Sequence, residues 1–97
     1  MEGRIHVAGA GVISAIGNSV SETLHSFKNQ LSGIGKITLF DSVHQDTLPV
    51  GEVKLSNRAL AEKLGTKISI TRTALLGIHA ARESVQASGI DLNKWRT

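Results

Sequence analysis

A chain of 97 residues without cysteine is compatible with one small globular unit, and the lack of thiols excludes disulfides, thiolate metal sites and a cysteine nucleophile within it. Aromatic residues make up 3% of the chain, which disfavours base stacking on nucleic acid, and the net charge of +3 comes from basic residues that form no run. The longest apolar stretch, residues 7–16, is far short of the ~20 residues that a membrane-spanning helix needs. We therefore expect no nucleic-acid partner, no membrane crossing and a cytoplasmic location.

The first predicted elements are a strand and a helix. Residues 4–8 alternate polar and apolar side chains, which is the period of a strand. Ser19 and Glu22 have the spacing of a capping box, in which the serine hydroxyl accepts the Glu22 amide and the glutamate accepts the Ser19 amide. Gly33 is placed to cap the end of the helix. The apolar residues at helical spacing between these caps are Val20, Leu24, Phe27 and Leu31.

A short strand and a brief helix are predicted next. Residues 48–53 contain Pro49 among β-branched residues, which is typical of an edge strand because proline donates no ladder hydrogen bond. Ser56 or Asn57 predicts the N-cap of a helix that ends at Gly65.

A long helix is predicted over residues 67–88, where apolar residues recur every three or four positions until Gly89. Its small residues leave room for close approach by a helix or sheet, so we expect burial on more than one side. These small residues are Ala74, Gly77, Ala80, Ala81 and Ala87. The order strand, helix, strand or hairpin, short helix, long helix indicates an α/β fold.

The glycines of the first loop raise the possibility of phosphate binding. Gly9 and Gly11 follow the predicted strand as in a dinucleotide-binding loop, but Gly17 comes too late for that motif and no lysine follows for a P-loop. Ser14 does not fit the spacing of a nucleophile elbow, so a solvated or capping role is favoured. A small nucleotide-binding α/β module remains an alternative interpretation.

Local spacing brings together no catalytic or metal-binding group. The histidines His6, His25, His44 and His79 are too far apart for a metal motif. Asp46 lies two residues after His44, and a polar loop explains that pair as well as an acid–base role does. From the residues alone, the chain is an α/β unit of unknown purpose.

Several segments in order resemble the β-ketoacyl-acyl-carrier-protein synthases, which are thiolase-like condensing enzymes. Residues 7–19 (VAGAGVISAIGNS) resemble that family's first strand and T-G-x-G-V-x-S/T-P-x-G-N loop, and residues 31–41 resemble its L-x-x-G-x-S-G-I-x-x-I-x-x-F-D segment. Residues 50–53 are similar to its A-G-E-V strand. Residues 80–91 are similar to its A-A-x-E-A-L-x-D-A-G-L-D helix end. The resemblance spans nearly the whole chain.

The chain also departs from that family's pattern. Ala8 and Ala15 replace the usual threonine and proline, and residues 69–73 stand where the family shows R-M-D-R-F, with only Arg72 as a matching charge. These departures leave two possibilities for the parent protein. It is either a condensing enzyme or a non-catalytic chain-length-factor-like partner of one.

The resemblance implies that residues 1–97 are the N-terminal part of a synthase N-terminal domain. The implied fold is α/β and thiolase-like, with short strands, two main helices and a short one, and the glycine loop becomes a tight strand-to-helix connection whose missing side chains permit close packing.

In that family a cysteine at a helix N-terminus takes the acyl group, and two histidines assist decarboxylative Claisen condensation in fatty acid or polyketide synthesis. The resemblance places all three beyond residue 97. We therefore assign no catalytic, cofactor-binding or metal-binding residue to this chain and expect it to be inactive alone. The implied partners of the parent acyltransferase are an acyl carrier protein and either a second copy or a related synthase.

Overall fold

A computed structural model describes residues 3–67 and 69–91 of the chain. These residues form an α/β structure with three helices and one two-stranded antiparallel sheet, which confirms the predicted class. The helices are α1 (Val20–Lys28), α2 (Asn57–Leu64) and α3 (Arg72–Ser88). The strands are β1 (Ile34–Gly35) and β2 (Val50–Gly51).

Helix α1 begins at the predicted cap. The Ser19 hydroxyl accepts a hydrogen bond from the Glu22 amide at 3.1 Å. The second half of the predicted capping box is wrong, because the Glu22 carboxylate accepts the Asn18 amide at 3.0 Å. Glu22 therefore satisfies an amide one residue earlier in the chain than the capping box requires.

The predicted end of α1 is also wrong, because the helix stops at Lys28. Asn29 forms the C-cap, and both its backbone amide and its side chain donate to the His25 carbonyl, at 3.1 and 2.8 Å. Gln30 then adopts a left-handed conformation with φ of 53°. Gly33 consequently lies outside the helix, where it is buried against Ala15.

Helix α2 matches its prediction at both ends. The Ser56 hydroxyl accepts the Ala59 amide at 3.1 Å, and Gly65 ends the helix in the left-handed conformation with φ of 68°. Both ends are determined by local chemistry: a hydroxyl that accepts a free amide and a glycine that tolerates a positive φ.

Helix α3 begins at Arg72, five residues later than predicted, because Thr71 caps it by accepting the Ala74 amide at 3.3 Å. The predicted start of this helix includes residue 68, which lies outside the described residues. Gly89 ends α3 with φ of 70°, as predicted. Among the described residues, none of the three helices combines the length and apolar character needed to cross a bilayer.

The predicted first strand is wrong. Residues 4–8 form no strand, because no other described segment pairs with them, and a strand requires hydrogen bonds to a neighbour. The side chains of Ile5 and Val7 are 97% and 87% exposed. The alternating pattern is present, but its apolar side chains are exposed in the described structure.

The second predicted strand is confirmed in a shortened form. Val50–Gly51 pairs with Ile34–Gly35, with Ile34 opposite Gly51. The partner strand was not predicted from the sequence. The Lys54 ammonium donates to the Gly33 carbonyl at 3.1 Å, which ties the residues after β2 to those before β1.

The apolar core is small and lies between α2 and α3. Its buried members are Leu60, Ala61, Leu64 and Leu75, of which Leu60 and Leu75 are fully buried. Of the small residues predicted to bury α3 on several sides, Ala80 lies against Gly11. The prediction is wrong for the others, Ala74, Gly77, Ala81 and Ala87, which are exposed. The buried residues of α3 are Leu75 and His79.

Large apolar side chains are exposed over much of the surface. They are Ile5, Val7, Leu24, Phe27, Leu31, Ile34, Leu39, Phe40, Val43, Leu48, Ile78 and Ile90. Single exposed apolar residues are normal, but twelve on so small a structure exceed what monomers usually leave in water.

We predict that the isolated chain self-associates or packs softly, because association removes this apolar surface from water. Light scattering should show species larger than a monomer, and an apolar-surface dye should fluoresce on binding. A strictly monomeric, dye-silent chain with a sharp thermal transition would contradict this prediction.

Candidate functional site

The glycine loop between residues 9 and 17 is packed directly on α3. A Cβ added to Gly11 would lie 2.9 Å from the Ser84 nitrogen and closer still to the Ala80 carbonyl oxygen. A Cβ added to Gly9 would lie 2.6 Å from the Ser88 nitrogen. Since real Cβ atoms avoid such distances, these two positions require glycine, which agrees with the expected close packing.

The same loop closes on itself before α1. Ser14 and Gly17 exchange backbone hydrogen bonds at 2.8 and 3.4 Å, and the Ser14 hydroxyl accepts the Ile16 amide at 3.3 Å. The buried Ser26 hydroxyl of α1 donates to the Ile16 carbonyl at 2.5 Å. Ser14 thus stabilises a tight turn, as its capping interpretation predicts.

A carboxylate from α3 occupies the amides that a bound phosphate would need. Glu83 accepts the Val12 amide at 3.0 Å through one oxygen and the Val20 amide at 2.9 Å through the other. Val20 is the first residue of α1, where free amides and the helix dipole favour an anion. The chain therefore supplies its own anion here, which argues against a nucleotide-binding loop.

His79 holds the same segment one helical turn earlier. It is 9% exposed, and its Nε2 lies 2.6 Å from the Asn18 carbonyl oxygen. Because a carbonyl only accepts, Nε2 carries the proton and donates it to this bond. His79 is thereby engaged in positioning the residue before the Ser19 cap.

A cleft of about 410 Å³ opens beside these contacts, between the start of α1 and the facing sides of α2 and α3. Its polar lining includes Asn18, Ser19, Lys63, His79, Arg82 and Glu83. Most of these groups are already bonded within the chain: Arg82 donates to the Leu64 carbonyl at 3.2 Å, and the Ser19 hydroxyl accepts the Glu22 amide. The cleft presents no nucleophile paired with a base.

The other histidines lie apart from this cleft. His25 is exposed on α1 beside Asn29, and His6 and His44 are exposed in irregular segments. Asp46, near His44, forms an ion pair with Lys36 at 3.5 Å in which both side chains are largely exposed, as expected of a polar loop. Within residues 3–67 and 69–91, no three acidic or histidine side chains cluster as metal ligands.

A second carboxylate, Glu52, secures the segment that follows β1. It accepts the Thr38 hydroxyl at 2.6 Å, the Thr38 amide at 3.2 Å and the Leu39 amide at 3.0 Å. The Thr38 hydroxyl bond is the main cause that lowers the pKa of the Glu52 carboxyl below its ordinary value. The backbone amides and the charge of Lys54 act in the same direction, while desolvation opposes them.

Arg72 connects the start of α3 to the chain between β2 and α2. Its guanidinium donates to the carbonyls of Val53 and Leu55 at 3.1 and 2.9 Å and to the Asn57 side chain at 2.9 Å. All three acceptors are neutral. The one charge that matches the family pattern in residues 69–73 is therefore used to hold backbone.

Spacing along the sequence did not predict the contacts of Glu52 and Glu83. Both lie in segments that carry the family resemblance, VGEV at residues 50–53 and AARE at residues 80–83, and this resemblance was the only signal that pointed to them. Glu83 also lies four residues after His79, on the same face of α3. The residues that resemble the family are thus the residues that position backbone.

Comparison with known proteins finds similarity to one kind of enzyme. The chain is 31% identical over 93 residues, 94% of its length, to 3-oxoacyl-[acyl-carrier-protein] synthase 2 of Staphylococcus aureus strain COL. It is 32% identical over 92 residues to the protein of that name in S. aureus strain N315, and 29% identical over 91 residues to that of Coxiella burnetii strain RSA 493.

Each of these matches takes 22% of the relative and lies in its N-terminal part. The chain therefore spans about a fifth of the length of the curated relatives it matches. No family model matches the chain, and no solved structure matches it.

We predict that Gly11→Ala destabilises the chain by about 1–3 kcal/mol, the usual cost of overpacking, because its Cβ overlaps the α3 backbone. Gly77→Ala is the matched control, since nothing lies within 4 Å of its Cβ and alanine favours a helix interior by about 0.5–1 kcal/mol. Urea denaturation measures both. Equal stability of the Gly11→Ala variant and the unmodified chain would show that the loop is not packed on α3.

We also predict that Glu52 contributes stability at neutral pH that is lost in acid. Because the folded pKa is lowered, the contribution is present above the unfolded pKa and disappears as the pH falls through the folded value. Glu52→Gln should lower the free energy of unfolding at pH 7. The difference in this free energy between the variant and the unmodified chain should become smaller as the pH is lowered. Denaturation at several pH values measures this, with the exposed Glu62→Gln as control. If the difference in free energy of unfolding between the two proteins stays constant with pH, the lowered pKa of Glu52 is contradicted.

Proposed function

We propose that this chain forms the N-terminal portion of a 3-oxoacyl-[acyl-carrier-protein] synthase-like protein. Residues 1–97 would then belong to the N-terminal domain of a thiolase-like layered fold. The observation that carries the proposal is similarity over 94% of the chain to the N-terminal part of such synthases.

The structure supports this proposal through the roles of the matching residues. The glycines at positions 9 and 11 allow close contact with α3, Glu83 binds the loop amides, and Glu52 binds the segment after β1. Each belongs to a segment that resembles the family. Under this proposal, these residues would hold the same local backbone in the synthases, to which the chain is about 31% identical.

The proposed reaction of the whole protein is decarboxylative Claisen condensation of acyl chains. A cysteine thiolate accepts the acyl group, loss of CO2 from a malonyl thioester leaves a carbanion, and its attack on the acyl carbonyl expels the thiolate. Lowered thiol pKa and hydrogen bonds to the oxyanion provide the physical basis. This chain has no cysteine, and His79 is engaged with Asn18, so its proposed contribution is to the framework.

The proposed setting is the cytoplasm, with an acyl carrier protein as the substrate carrier and a second synthase subunit as the oligomeric partner. The product class is a fatty acid or polyketide intermediate. The relatives are named 3-oxoacyl-[acyl-carrier-protein] synthase 2, and that name supports a condensing enzyme that works with an acyl carrier protein.

A second candidate is a chain-length-factor-like partner with the same fold and no nucleophile. The departures from the family pattern favour it: Ala15 replaces a proline, and residues 69–73 keep one of the family's charges. The two candidates share the fold of these residues and differ in the reactive groups of the remaining protein.

We predict that the gene sequence downstream of residue 97 encodes a cysteine and two histidines in the family's motifs. That result supports the condensing enzyme. A synthase-like continuation without the cysteine supports the chain-length partner. A downstream sequence unrelated to these synthases would refute both.

A further inference from the structure

Helix α1 is attached to the rest of the chain by polar contacts and not by apolar burial. Its one buried residue is Ser26, whereas Leu24 and Phe27 are 52% and 66% exposed. The buried core cluster, which is formed by α2 and α3, includes no residue of α1. The free energy that keeps α1 in place therefore comes from other contacts.

Those contacts converge on one face of α3. Glu83 binds the amides of Val12 and Val20, and His79, four residues earlier, donates to the Asn18 carbonyl. Val12 and Val20 lie at opposite ends of the loop that leads into α1. One carboxylate thus fixes both ends of this segment, and the histidine fixes a point between them.

The contacts of Glu83 are stronger than neutral hydrogen bonds because the acceptor is charged. One of its partners is the first amide of α1, where the helix dipole favours negative charge. The cationic side chains that line the same cleft are Lys63 and Arg82, and Arg82 is bonded to the Leu64 carbonyl. The Glu83 carboxylate is hydrogen-bonded to the backbone amides of Val12 and Val20.

We propose that Glu83 is a latch, and that α1 with residues 16–19 before it opens as one unit when this latch is released, while α2 and α3 stay folded. Proteins open locally in cooperative units whose stability follows their buried apolar contacts. The core cluster keeps α2 on α3, and Ile13 packs against it, whereas α1 has no equivalent. The inference concerns the 97-residue chain by itself, in which Leu24 and Phe27 of α1 are exposed.

Hydrogen exchange of the full chain with Glu83→Gln tests the proposal. Loss of the charged bonds should accelerate amide exchange across α1 about tenfold or more, while the peptides of α2 and α3 exchange as before. Glu62→Gln is the matched control, because Glu62 is an exposed glutamate on α2, and it should leave exchange in α1 unchanged.

Two results would overturn the latch: unchanged exchange in α1, or equal acceleration in all three helices. If Glu83→Gln fails to fold, the unmodified chain provides a second test by exchange at increasing denaturant below its unfolding transition. The amides of α1 should then show a lower opening free energy than those of α2 and α3. A single opening free energy for all three helices would also overturn the proposal.

Discussion

The position of α1 depends on the close approach of the glycine loop to α3. Gly9 and Gly11 leave no side chain between the two backbones, so the loop lies within reach of the Glu83 carboxylate. From that position the loop sets the start of α1, and Ala15 at its centre lies against Gly33. A side chain at either of the two glycines would separate the loop from the helix that fixes it.

Two carboxylates and a guanidinium hold the segments that connect the helices and strands. The core lies between α2 and α3, while Glu83 holds the entry to α1, Glu52 holds the chain after β1, and Arg72 holds the chain after β2. Each of the three bonds backbone groups that would otherwise lack secondary-structure partners. Polar contacts of this kind give a defined arrangement to a chain with little buried apolar area.

The sequence predicted those elements whose ends are determined by local chemistry. Ser19, Ser56, Gly65 and Gly89 are caps, and each acts where predicted because its partner lies within a few residues. The strand predicted at residues 4–8 does not form, because a strand also needs a neighbouring strand and these residues pair with none among the described residues.

The contacts of Glu83 join residues 71 and 63 positions apart, so spacing alone could not reveal them. The resemblance to the synthases pointed to the segments that contain Glu52 and Glu83, but it did not predict which backbone groups these residues bind. In the structure, His79, Ser19 and Glu83 are all hydrogen-bonded to backbone groups.

We propose that these residues are one part of a larger synthase-like protein whose other parts cover the exposed apolar surface. The intact mass of the protein purified from its own cells tests this most directly. We predict a polypeptide several times heavier than 10.3 kDa, because the similar synthases extend far beyond the matched region. A native protein of 10.3 kDa with no larger form would contradict it.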